Sequence, residues 1–141
     1  MSIAPSPVES AENWEQVRDE WIAALDALFR QVETWSEGRG WSIHRQEELL
    51  QEGGLGAYQA WSLIVRAPEG RLLFLPIARR VTAAKGLVDL FLMPSIDATS
   101  MLVRHDDGRW LIHPFGNSEI GGPLSETSYF ETARAMFGAM L

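Results

Sequence analysis

No cysteine occurs among the 141 residues, which excludes disulfides, thiolate zinc sites, iron–sulfur clusters and a cysteine nucleophile. Lysine is almost missing too: eleven of the twelve basic residues are arginine, and only Lys85 is lysine. A GC-rich bacterial genome produces that bias without selection, but a planar guanidinium still pairs bidentately with carboxylate or phosphate where an ammonium does not. No apolar run approaches the ~20 residues of a membrane span. The first eight residues have neither the basic stretch nor the long apolar stretch of a targeting signal, so the expected compartment is the cytoplasm. Catalytic motifs are missing as well. Gly53-Gly54-Leu55-Gly56 has no lysine after it and opens no helix, so it does not read as a phosphate loop. No serine sits in a nucleophile elbow and no Ser–His–Asp set can be placed. The sequence therefore assigns no catalytic residue, no cofactor and no metal, and leans away from an enzyme.

What is present is the composition of a globular protein, 46% hydrophobic and 22% charged, at a length suited to one domain with one core. Residues 1–12, with Pro5 and Pro7, read as a disordered or extended tail, and residues 13–141 as a single domain. The net charge of −7 is unevenly placed: residues 9–52 hold eleven acids and four bases, whereas residues 66–109 hold seven bases and five acids. The acidic half argues against general binding of nucleic acid or anionic membrane, which needs a basic surface.

From about Asn13 to Glu37 there is no glycine or proline, and apolar residues recur at Trp14, Val17, Trp21, Leu25, Leu28, Val32 and Trp35. This spacing predicts an amphipathic helix, with Asn13 as N-cap and Gly38 and Gly40 as its end. Trp41 to about Glu48 reads as a strand. Glu69-Gly70, Lys85-Gly86 and Asp107-Gly108 then read as two-residue hairpin turns, with a bulge or break expected near Pro76. Residues 114–124 read as a loop and about 126–140 as a last helix capped by Ser125. The expected fold is α+β: a long N-terminal helix, an antiparallel meander of five or six strands, and a C-terminal helix, with the long helix on the aliphatic side of the sheet.

Those turns, taken at face value, sort the side chains. One face would hold Leu63, Val65, Leu72, Phe74, Val81, Val88, Leu90, Leu92, Met101, Val103, Trp110 and Ile112, an ordinary core. The other would carry Arg66, Arg71, Arg80, Arg104 and Arg109 among Ile64, Leu73, Leu75, Phe91, Leu102 and Leu111. Half arginine and half aliphatic is the composition of a surface that is covered by something, since arginine is enriched and lysine depleted at protein interfaces. The blander account is a solvated face with arginine stems lying over the leucines. The expectation is a small acidic protein-interaction module, comparable in shape to chaperones, immunity proteins or assembly subunits, that binds a protein partner or forms a homodimer. Neither nucleic acid nor membrane is expected as a partner.

The alternative is a small-molecule-binding domain or enzyme with a pocket between sheet and helix, lined by Trp41, Tyr58, Trp61, Asp89, His105 and the loop 116–122. In the same register His105 and His113 point to opposite sides, which argues against a metal pair. It leaves His105 half-buried and His113 on the surface. Asp89 faces Thr82 and lies diagonal to Arg80, an arrangement suited to a structural ion pair.

Overall fold

The computed structural model describes residues 14–79, 81, 84–94, 99–113 and 121–138. The N-terminal tail, the expected cap Asn13, Arg80 and Thr82 lie outside this set. Helix α1 spans Trp14–Gly38 and buries Trp21, Leu25, Leu28, Phe29, Val32 and Ser36, the stripe its spacing predicts. It ends where Gly40 adopts a φ of 79° and donates its N–H to the Glu37 carbonyl at 2.9 Å. Seven strands follow: β1 (Ser42–Glu52), β2 (Gly56–Ala67), β3 (Gly70–Ala78), β4 (Leu87–Met93), β5 (Thr99–Arg104), β6 (Trp110–His113) and β7 (Gly122–Pro123). They pair antiparallel in chain order as one meander. Helix α2, Glu126–Gly138, closes the described chain, with Ser125 Oγ accepting the Ser128 N–H at 3.1 Å as an N-cap does. The α+β class and the helix–meander–helix order are as the sequence predicts. The meander is longer, because β1 runs on to Glu52 and β7 is added at the far edge.

Both helices lie on one face. Phe74 of β3 meets Phe29 of α1 at 6.3 Å and Tyr129 of α2 at 5.9 Å. Around it Leu63, Leu72, Leu90, Leu102 and Ile112 have almost no exposed surface. Truncating a ring so enclosed costs about 3–5 kcal/mol. The helices are also joined by buried polar contacts. Ser36 Oγ donates to the Val32 carbonyl at 2.7 Å, so the Tyr129 hydroxyl, 2.8 Å away, is the donor to Ser36. Burial pushes the Tyr129 phenol up to about 12.

The three expected turns fare differently. The first sits one residue earlier: Ala67 pairs with Gly70, so Pro68-Glu69 is the loop. The register moves by two and every side chain keeps its face. The second is not a turn. Lys85 N–H donates to the Arg104 carbonyl at 2.7 Å and Arg104 N–H to the Gly86 carbonyl at 2.9 Å, so residues 85–86 lead into β4 alongside β5. Gly86 is required by packing, because a Cβ there would overlap the Trp21 ring. β3 instead ends at Ala78 and β4 begins at Leu87, with a register shift between Pro76 and Ala78, where the break was expected. Val81, assigned to the core, is half-buried and bridges Ala84.

The third turn has three residues. His105 N–H donates to the Arg109 carbonyl at 2.8 Å and Gly108 N–H to the His105 carbonyl at 2.9 Å, with Gly108 at φ 89°. This is the hairpin loop that ends on a left-handed residue. One extra residue inverts β5: Arg104 pairs with Trp110 and Leu102 with Ile112, so both face the helices. Met101 and Val103 face away.

β1 and β2 stay in register along their whole length, yet the buried set on β2 changes parity, from Tyr58, Ala60 and Ser62 to Leu63 and Val65. β2 leaves β3 beyond the Leu63–Phe74 pair. The outer half of the hairpin is then a two-stranded ribbon free to twist strongly, and it folds its other face inward. Trp21 Nε1 donates to Tyr58 Oη at 3.0 Å, and Tyr58 in turn donates to Glu52. Burial and the Glu52 carboxylate push the phenol far above its ordinary range.

Candidate protein-binding face

Antiparallel pairing with helices on one side leaves the opposite face to its own devices. Among the described residues no helix covers it. In rows across the sheet, Arg66 stands opposite Arg71 and Arg71 opposite Met93. Ile64 stands opposite Leu73, and Leu73 opposite Phe91. Leu75 stands opposite Asp89, and Asp89 opposite Met101. Leu87 stands opposite Val103, and Val103 opposite Leu111. Most of these aliphatic and aromatic side chains are half-buried; Met101 is 36% exposed.

The expected binding residues thus divide. Arg66, Arg71, Leu73, Leu75, Phe91 and Leu111 share the helix-free face as predicted. Arg104 and Leu102 do not: both are buried under the helices, because the third turn has three residues rather than two. Arg104 instead reaches Glu20 of α1 at 3.3 Å. Arg109 lies in the turn, exposed, with its Nε 2.6 Å from Asp107. Arg80 lies outside the described residues. Sequence reasoning missed Met101, Val103 and Leu87 on this face. Counting the turn as Asp106-Asp107-Gly108, with glycine at the left-handed third place, is the signal that finds the first two.

The face has a sharp electrical pattern. Arg66 and Arg71 are direct cross-strand neighbours, an unfavourable pairing of like charges. Neither guanidinium makes an ion pair or hydrogen bond among the described residues. Asp89 sits in the apolar middle, and desolvation pushes its carboxyl above the ordinary range. It faces Leu75 and Met101, not Thr82 as expected. His113 is half-buried on the same face, its Nδ1 without a hydrogen-bond partner among the described residues. His105 is exposed in the turn, so the expected burial of the two histidines is reversed. They lie at opposite ends of β6, and no cluster of potential metal ligands occurs among the described residues.

The residues assigned to an alternative pocket are not brought together. Trp41 packs on the helix side against Phe130 at 5.2 Å. Tyr58 is buried beside Trp21, and Trp61 is 37% exposed on the outer hairpin. Asp89 is on the opposite face and His105 in a turn. Residues 116–120 of the accompanying loop lie outside the described set. Much of the acidity of α1 is absorbed on the helix side, where Arg45 of β1 grips Glu33 through Nε at 2.7 Å and Nη2 at 3.1 Å, and Asp26 through Nη1 at 2.7 Å.

Compared with protein-family models, with curated proteins and with solved structures, the chain matches none of them.

Proposed function

We propose that this chain is a protein-interaction module whose helix-free sheet face receives an apolar partner surface edged with carboxylates. The observation that carries the reading is the Arg66–Arg71 pair: like charges directly opposed, without a counter-ion among the described residues, at the rim of a patch built on Leu73, Leu75 and Phe91 that no described helix covers. A partner carboxylate between the guanidinium groups would relieve their repulsion and form charge-assisted bonds to each. The flanking apolar residues would supply the area that a stable contact needs. In this role the protein acts as a small acidic cytoplasmic binder of the chaperone, immunity or assembly-subunit kind.

The test pairs affinity capture from native cells with light scattering on the recovered complex. Wild-type protein is expected to retain a partner in fixed stoichiometry, with affinity falling as salt rises. Arg66→Glu with Arg71→Glu should lose it while the fold survives. A double variant that binds as wild type does, or a wild-type protein that stays monomeric and captures nothing in an Arg66- and Arg71-dependent way, refutes the reading. A dimer of the chain alone that dissociates in the double variant assigns the face to a second copy instead.

A further inference from the structure

A recess on the helix side is separate from the open face and does not depend on the role proposed for it. The turn after α1, the β2–β3 turn and α2 meet around a groove of about 400 Å³, lined by Arg39, Trp41, Glu69, Phe130, Arg134 and Phe137. That lies at the small end of the ~300–1,000 Å³ typical of ligand pockets. Its aromatic part is built edge to face: Trp41 meets Phe130 at 5.2 Å and Phe137 at 6.1 Å, with the rings at 82° in both pairs. The Arg39 guanidinium lies over the Phe130 ring, 3.7 Å from its centroid. Stacking of this kind holds the fork flat and leaves its N–H edge free for a planar acceptor. Neither the Arg39 nor the Arg134 guanidinium makes a hydrogen bond or ion pair among the described residues. Within the groove they face one carboxylate, Glu69, which leaves one net positive charge. Glu126 and Glu131 belong to an adjoining recess of about 300 Å³ that shares Arg39, Phe130 and Arg134, so among the described residues the side towards Trp41 and Phe137 is the one without further acids.

We propose that this groove binds a small aromatic monocarboxylate, its ring against Trp41 and Phe137 and its carboxylate held by Arg39 and Arg134. Two guanidinium groups suit the two oxygens of one carboxylate, and the apolar walls exclude water from the ring. An amine of the same shape would meet two like charges.

The probe is 3-phenylpropionate, with 3-phenylpropylamine as its charge-reversed counterpart, titrated into the full chain and followed by NMR. There are six tryptophans, hence six indole N–H resonances, and Trp41→Phe identifies the one that matters. The expected result is a saturable shift of the Trp41 indole with the acid and none with the amine. Arg134→Glu, an exposed change on α2, should weaken the acid about ten-fold or more, the loss of one charge-assisted contact, with an unaltered circular dichroism spectrum. The Arg66→Glu, Arg71→Glu variant should bind the acid as wild type does, which separates this site from the sheet face. Three outcomes overturn the proposal: no saturable shift up to about 10 mM acid, the affinity of a very weak ligand; equal binding by Arg134→Glu; or binding lost in the sheet-face variant instead.

Discussion

At the scale of single residues, the chain repeatedly uses one side chain to dictate another. Gly86 is there for the ring of Trp21, which occupies the space a Cβ would take, and Trp21 also stands 6.1 Å from Trp110. Gly86→Ala is therefore expected to displace the indole and cost about 1–3 kcal/mol, the range for overpacking a filled core, measured by urea denaturation. A large-to-small change at the same contact, Trp21→Phe, should partly restore Gly86→Ala, and independent, additive effects would disprove the contact. Asp89 makes the opposite kind of prediction. Its carboxyl titrates higher in the folded state than in the unfolded chain because burial disfavours the charged form. The folded state then binds more protons between the two values, so stability falls as pH rises through that interval and stays lower above it. Asp89→Asn should raise the thermal midpoint at pH 7, by an effect on the order of 0.5 kcal/mol for a half-exposed site. The gain should vanish at a pH below both values. A difference that persists unchanged at acid pH would mean that ionisation is not the cause.

At the scale of elements, α1 is locked to the sheet by more than its apolar stripe. Arg45 and Glu33 are only 20% and 17% exposed, and Asp26 completes the cluster. Arg45→Met leaves Glu33 without its cation and Asp26 with Arg30 alone, 3.0 Å away, and about 2 kcal/mol of stability should be lost in denaturant titration. That is below the ~3–5 kcal/mol of a fully buried broken pair, since solvent still reaches the site. The inversion of β5 is equally open to test, because a chain without cysteine accepts single cysteines cleanly. Met101→Cys and Val103→Cys should react with a maleimide about ten-fold faster or more than Leu102→Cys, given the difference in burial. The reverse order would restore the two-residue turn. β5 also shows where sequence reading stops. Helix α1, helix α2 and the faces of β3, β4, β6 and the half of β2 that pairs with β3 are legible from periodicity, since a slip of two residues, as at Pro68-Glu69, preserves every face. A slip of one does not. Asp-Gly signals a tight reversal but does not count its residues, and Arg104 at a position of core parity reads as an error unless its partner Glu20, 84 residues away in the chain, is known. The same blindness hid Arg45 and the groove, both assembled from segments far apart in sequence.

At the scale of the molecule, charge and architecture divide the labour between two sides. Glu20, Asp26 and Glu33 of α1 are answered on the helix side by Arg104 and Arg45, whereas on the opposite face Arg66 and Arg71 have no acid partner among the described residues. If that pair were incidental, replacing one arginine by an acid would change folding alone. Arg66→Glu creates an opposite-charge pair directly across β2 and β3 in place of a repulsive one, a change worth about 0.2–1 kcal/mol in favour of the fold. The proposed role adds a second consequence of the opposite sign, because the new carboxylate occupies Arg71 and repels the incoming partner acid. Arg66→Glu should therefore fold more stably than the wild type in thermal denaturation and yet bind its partner more weakly. Arg66→Leu, which removes the charge without adding an acid, should fall between the two in binding. In the proposed role, the partner carboxylate supplies the interaction that offsets the repulsion within the pair. A variant that gains stability with no loss of binding would show that the arginine pair is merely tolerated, and that recognition, if any, resides in the apolar residues alone.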